Sequence, residues 1–154
     1  MISSIVCKSE WYNHVAHGTK SSKMLLSKKI GNDGELLAAN YYQKEGFLVL
    51  EMNYLKKWGE IDVIVKKDGK VHFVEVKTVS YETKSDLEQA VLRGTWRPED
   101  NVHQFKLKKL SRAIETWISE RKWTGDFQID VAAVRIVPRE TYATIKIIPN
   151  IIIE

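Results

Sequence analysis

An α/β domain, with a mixed sheet built on an antiparallel meander and helices packed against it, is the fold class this sequence predicts. Three observations carry that expectation. Two alternating runs, Glu60 to Lys66 and Val71 to Lys77, flank Asp68-Gly69, a pair that favours the positive φ angles of a tight hairpin turn. A helical period from Val102 to Arg121 brings Val102, Phe105, Leu110, Ala113, Ile114, Trp117 and Ile118 to one side. The element order, helix, three strands, helix, strand, then sets helices against a single sheet.

In chain order, residues 1 to 30 show no sustained helical or strand period and read as a basic, flexible arm ahead of a single domain from 31 to 154. The arm holds Lys8, Lys20, Lys23, Lys28 and Lys29 against Glu10 alone, which accounts for the whole net charge of +4. Such an excess favours polyanions, although many proteins that bind none share it. From Asn32 or Asp33 to Glu45 the chain reads as a helix with an N-cap residue, Leu36, Leu37, Ala39 and Tyr41 near its inner side, and Gly46 closing it. Phe47 to Tyr54 is a strand that enters the turn Lys56-Lys57-Trp58-Gly59. After the hairpin, Ser85-x-x-Glu88 has the form of a capping box, predicting a short helix from Asp86 to Arg93 stopped by Gly94. Phe127 to Val137 is a strand apolar enough to lie centrally, and Ala143 to Ile153, interrupted by Pro149, reads as an edge strand or a partner-covered segment.

Composition narrows the class. At 154 residues the chain is long enough for one domain with a real core. No apolar run approaches the ~20 residues needed to cross a bilayer, so no membrane partner is expected. The single cysteine, Cys7, excludes an internal disulfide framework and fits a reducing, cytoplasmic setting.

The chemistry concentrates in the hairpin. A two-residue loop at Asp68-Gly69 pairs Lys67 with Lys70, which places Asp62 opposite Glu75 and Glu60 opposite Lys77. Alternation puts Ile61, Val63, Val65, His72, Val74 and Val76 on one face and Glu60, Asp62, Ile64, Phe73, Glu75 and Lys77 on the other. Two carboxylates directly opposite each other repel unless something positive sits between them. A divalent cation meets that need, since Asp and Glu oxygens suit Mg²⁺ or Mn²⁺, and a metal clamp on phosphate oxygens is a common route to phosphodiester hydrolysis. The bland alternative is a solvated sheet face that happens to carry acids and a lysine. Glu60 is either a supporting acid or the ion-pair partner of Lys77. Trp58 either stacks on an unpaired base or caps the hairpin end.

The pattern of an acid, a short span and E-x-K, at Asp62, Glu75 and Lys77, resembles the PD-(D/E)xK nuclease superfamily. A fuller string is more specific: Gly31-x-x-Gly34-Glu35-x-x-Ala38, then GEIDVI at Gly59 to Ile64, then FVEVKT at Phe73 to Thr78. In that order the chain resembles the YraN-like family of small predicted endonucleases, related in fold to Holliday-junction resolvases, over roughly Gly31 to Val134.

The resemblance implies a restriction-endonuclease-like sheet and a Mg²⁺ or Mn²⁺ ion held by Asp62, Glu75 and the Val76 backbone carbonyl. Lys77 would assist the attacking water and Glu35 would support metal or water; a carboxylate in a helix's first turn also has the simpler explanation of the helix dipole. Lys106 matches a lysine that recurs at this place in such proteins and competes with the reading of a snorkelling boundary lysine. Lys109, Arg93 and Arg97, with Trp96, are candidate nucleic-acid contacts, the loop residues being as well explained by solvation. Asp130 matches an aspartate of the family and reads as structural. The C-terminal tail departs from the family's usual ending. The expected activity is metal-dependent cleavage of nucleic acid, DNA rather than RNA, with branched and single-stranded forms among the candidate substrates; the alternative is a non-catalytic nucleic-acid-binding module with the same fold. Resolvase-like action on a four-way junction needs two sites, which leaves a homodimer open.

Overall fold

The computed structural model describes residues 2–6, 20–94 and 104–153, with side chains at 24–94 and 107–153. The elements are β1 (Ile2–Val6), α1 (Lys20–Lys44), β2 (Leu48–Lys56), β3 (Gly59–Lys67), β4 (Lys70–Ser80), α2 (Lys84–Arg93), α3 (Gln104–Arg121), β5 (Phe127–Val137) and β6 (Tyr142–Ile148). The strands form one sheet in the order β1-β6-β5-β4-β3-β2. β4 and β5 run parallel, and the other neighbouring pairs are antiparallel. The parallel pair demands a long crossover, and α2 and α3 both lie in it. This is a mixed sheet with helices against it, consistent with a restriction-endonuclease-like fold. No helix among the described residues is long and apolar enough to cross a membrane.

The two faces of the sheet bury separate cores. On one, Ala38, Ala39 and Tyr42 of α1 pack on Val63, Val65, Val74, Val76 and Val134. On the other, Leu110, Ala113, Ile114 and Trp117 of α3 pack on Tyr54, Ile64, Phe73 and Ile129. Trp117 meets Phe73 edge to face at 5.3 Å between ring centroids, and its indole N–H donates to Glu51 Oε2 at 3.2 Å. The hairpin turn is as expected: Asp68 and Gly69 take φ of 49° and 76°, and Lys67 pairs with Lys70.

Several boundaries differ from the sequence reading. α1 begins at Lys20, twelve residues before Asn32, so part of the expected arm is helical. Its outer stretch carries Met24 and Leu25 largely exposed, which is why no buried stripe announced it. The inner side of α1 is Ala38, Ala39 and Tyr42, whereas Leu36 is exposed. α2 is capped by Thr83, not Ser85: Thr83 Oγ1 accepts from Asp86 N–H at 3.1 Å, while Asp86 Oδ2 accepts from Thr83 N–H at 3.1 Å. Gly94 closes α2 at φ 63°. β6 is not an edge strand, because β1 pairs along it from Ile2↔Lys146 to Val6↔Tyr142. Val102 lies outside the described residues.

Asp130, expected to be structural, ties the layers together. It is 1% exposed and accepts from the Tyr42 hydroxyl at 3.0 Å, His72 Nδ1 at 2.8 Å, Gln128 Nε2 at 2.7 Å and Asn150 N–H at 3.1 Å. A carboxylate only accepts, so His72 carries its proton on Nδ1. These contacts join α1, β4 and the C-terminal segment, and they explain the polar His72 on an otherwise apolar face. Burial, then the Asp130 carboxylate, holds the Tyr42 hydroxyl far above its ordinary range.

Asp130→Ala would strand several buried donors, and a loss of about 3–5 kcal/mol is expected in urea unfolding; a loss under about 1 kcal/mol would refute the hub. Tyr42 adds a pH signature. Its folded pKa is raised, so its contribution is present below the unfolded value near 10 and is lost as pH rises beyond it, by about 1.4 kcal/mol per unit. The stability advantage of wild type over Tyr42→Phe should therefore be constant to about pH 9.5 and shrink above it.

Candidate functional site

The β3–β4 ladder runs in the counted register from Lys67↔Lys70 to Val63↔Val74 and ends there. Asp62 and Glu75, expected to pair directly, sit just past the last pair, where the strands splay. In place of a ladder bond, Asp62 Oδ2 accepts from the Val76 N–H at 2.7 Å. Within an extended strand a residue's N–H and C=O project to the same edge, so the Val76 carbonyl faces this opening too. The irregularity reaches β2. The β2–β3 register shifts between Val49 and Glu51, and further along no pair forms between Met52↔Val63 and Tyr54↔Ile61, where Asn53 adopts a left-handed φ of 52°. As a result Ile61, expected beside Val63, packs with Tyr54 in the α3-side core.

The carboxylates are withdrawn from solvent: Glu75 is 2% exposed and Asp62 8%. Lys77 Nζ lies 3.5 Å from Glu75 Oε1 and is itself mostly buried. Asp62 and Glu75 line a cleft of about 520 Å³ with Leu55, Lys56, Lys57, Trp58, Gly59, Glu60, Lys109 and Leu110. Acids therefore sit on its floor with lysines around them. Asp62 and Glu75 offer hard oxygen donors, and the Val76 carbonyl adds a third. Among the described residues, no three histidine, cysteine or acidic side chains gather as a complete metal shell. Mg²⁺ commonly takes one or two carboxylates and completes its shell with water and substrate phosphate, so the donors present fit such an ion in kind.

Close backbone contacts hold the cleft. A Cβ on Gly59 would overlap the Lys109 carbonyl oxygen and press on Ala113, so α3 rests directly on the start of β3. The Trp58 indole N–H donates to Thr116 Oγ1 at 3.1 Å, and the Arg112 guanidinium lies 5.9 Å from its ring, so Trp58 secures the turn to α3. Glu120 accepts from Lys56 at 2.6 Å and from the Tyr54 hydroxyl at 2.8 Å. Those two hydrogen bonds, Lys56 first, hold the Glu120 carboxyl below its usual range, and the bond to Glu120 raises Lys56.

The remaining candidates fall into different places. A Cβ on Gly34 would overlap the Thr78 hydroxyl, so α1 touches β4 immediately after Lys77. Glu35, half-buried beside that contact, belongs to the helix on the opposite face from Glu75 and Lys77 and is not among the described residues lining the cleft. Glu60, the expected partner of Lys77, is exposed and lines the cleft. Lys109 lines the cleft, whereas Arg93 is exposed at the end of α2 and donates to Gln89 Oε1 at 3.4 Å. Lys106 lies in α3, but its side chain, like Trp96 and Arg97 altogether, is outside the described residues. Sequence reasoning passed over Lys56 and Lys57 as cleft residues, although their place in the turn before GEID was the available signal.

Fold and site together define a small restriction-endonuclease-like α/β protein with a splayed, acid-bearing hairpin. The description Uncharacterised protein family UPF0102 matches residues 34–134, and the chain belongs to that family. It is 36% identical over 113 residues to a UPF0102 protein of Vibrio parahaemolyticus, covering 71% of this chain and 84% of that one. A UPF0102 protein of Campylobacter fetus is 37% identical over 106 residues, 68% of this chain and 81% of the relative. One from a Sulfurovum species is 34% identical over 111 residues, with coverage of 71% and 87%.

The glycine contacts give a contrast for one helix. Gly31→Ala meets open space and should stabilise by about 0.5–1 kcal/mol, the ordinary gain in a helix interior. Gly34→Ala, three residues on, should destabilise by about 2 kcal/mol or more through its collision with Thr78. Equal effects in thermal unfolding would contradict the packing.

Proposed function

We propose that this protein is a metal-dependent endonuclease that hydrolyses phosphodiester bonds, with DNA as the expected substrate and the cytoplasm as its place of action. The observation that carries the reading is the pair of buried carboxylates at the opening of the hairpin, with Lys77 beside Glu75 and lysines around the same cleft. Two adjacent buried acids weaken a sheet, and a protein that only bound polyanions would gain nothing from carboxylates that repel them. When bound, a Mg²⁺ or Mn²⁺ ion would supply Lewis-acid stabilisation of the phosphate oxygens.

The chain's own residues supply the rest. Asp62 and Glu75 would hold the ion, with the Val76 carbonyl positioned by the bond between its own N–H and Asp62. Lys77 would orient the attacking water or offset charge developing on the phosphate, in a mostly buried setting where a cation acts strongly. Lys57 and Lys109, at the cleft wall, would seat the flanking backbone. Glu35, next to the Gly34–Thr78 contact and outside the described cleft lining, would support the metal or water only indirectly, through the seating of α1 on β4. Cutting a four-way junction symmetrically would require two copies, hence a homodimer for that substrate.

The test is cleavage of labelled branched, single-stranded and duplex DNA with Mn²⁺ or with EDTA. Glu75→Ala and Lys77→Ala, each shown to be folded, should lower metal-dependent cutting by about 100-fold or more. Binding without cutting of DNA or RNA would move the protein to the non-catalytic class. Mn²⁺ offers a second readout: at about 100 times its dissociation constant it should stabilise wild type by ~2.7 kcal/mol and leave Glu75→Ala nearly unmoved. Equal shifts in both proteins would place the ion elsewhere.

A further inference from the structure

Among the buried charged groups of the described residues, Arg135 stands away from the cleft and keeps a buried donor that the fold's own hydrogen bonds do not engage. It is 9% exposed, and its Nε has no hydrogen-bond partner. Asp62 is bonded to Val76, Glu75 stands beside Lys77, and Asp130 accepts four bonds. Arg135 instead lines a cavity of about 360 Å³ between α2 and the β5–β6 pair, with Leu87, Glu88, Val91, Tyr142 and Thr144 among its neighbours. A guanidinium held in this way is costly to the fold and prepared for an acceptor from outside.

Strand register shows where that cavity stands. Residues paired across neighbouring strands share a face, so Glu75, Val131 and Ile148 form one row across β4, β5 and β6. The next row is Lys77, Ala133 and Lys146, and the next is Val79, Arg135 and Thr144. This is the face opposite α1, whose contacts are with the alternate residues Val74, Val76, Ala132 and Val134. Lys77, Lys146 and Arg135 therefore lie on the face that carries Glu75, in rows about 7 Å apart on strands about 5 Å apart.

We propose that Arg135, with Lys146, is a phosphate-binding subsite for the nucleic-acid strand, beyond the scissile group held at Asp62 and Glu75. The inference rests on the nucleic-acid reading of the cleft. Arg135 would donate to a phosphodiester oxygen, a short charge-assisted bond, and Thr144 and Tyr142 would supply hydroxyls beside it. Among the described residues Glu88 is the one carboxylate on the cavity wall. It lies 3.9 Å from Lys84, whose ammonium stands 4.6 Å from the Tyr142 ring centroid, and that pairing limits its repulsion of a phosphate.

The experiment measures binding of labelled single-stranded and branched DNA by anisotropy in EDTA, where no cutting intervenes, over a range of salt. Wild type is compared with Arg135→Met, Lys146→Gln and, as an independent marker of the cleft, Glu75→Ala. Arg135→Met should weaken binding by about tenfold, lower the salt slope by about one, and keep or raise the melting temperature, because an unpaired buried charge has gone. Lys146→Gln should show a smaller loss with the same sign in the slope. A folded Arg135→Met protein that binds as wild type does would overturn the subsite while leaving the nuclease reading intact. A misfolded or strongly destabilised Arg135→Met would overturn it as well, because the guanidinium would then belong to the fold. Failure of wild type to bind nucleic acid at low salt would sink both readings.

Discussion

The hydrogen bond from the Val76 N–H to Asp62 Oδ2 stands at the point where the sheet stops being regular, and much of the molecule is arranged around it. Asp62 and Glu75 come from adjacent strands and are both buried, a placement that a continuous ladder would make strongly repulsive. The ladder ends at Val63↔Val74, and beyond it the bond to Val76 gives one carboxylate a backbone donor that the lost pairing would otherwise strand. Lys77 then brings a positive charge to the other. The splay thus resolves a conflict between sheet pairing and charge, and it leaves the Val76 carbonyl directed at the same opening.

Two glycines set how closely the helices approach this opening. Gly34 admits Thr78, just beyond the splayed part of β4, against α1, while Gly59 admits the α3 backbone at the start of β3. Each contact lacks room for a Cβ, so α1 rests on the short Thr78 side chain and α3 brings its own backbone onto Gly59, in neither case through a long side chain. At the other end, Asp130 locks His72 near the turn of the hairpin to Tyr42 of α1 and to the C-terminal segment. A hairpin held at both ends can keep an irregular middle without unravelling, because neighbouring layers offset the lost ladder bonds.

Among the described residues, cations are spread over the cleft and one face of the sheet. Lys56, Lys57 and Lys109 stand around the cleft, and the sheet face continues through Lys77 to Lys146 and Arg135. Some of these cations are already engaged: Lys56 is tied to Glu120, which fixes its position more than it adds attraction. The difference between a lysine that braces the wall and one that faces a ligand is invisible in the count of charges.

The local patterns of the chain were enough to reveal the hairpin, its turn at Asp68-Gly69, its register and the strand from Phe127 to Val137, since these follow from alternation and from the φ that a turn demands. They also placed Asp62, Glu75 and Lys77 at one end of that hairpin. The start of α1 at Lys20 and the capping of α2 by Thr83 lay beyond them, because an outer helical stretch with no buried stripe, and rival capping residues two positions apart, leave no periodic signal. Pairing of β1 with β6, the reversal of Ile61 and the burial of Arg135 depend on partners distant in the chain, so only tertiary structure decided them. Glu35 makes the same point. Its spacing within the motif is a property of the sequence, but its position at the α1–β4 contact, away from the cleft lining, is set by how closely Gly34 lets the helix lie on Thr78.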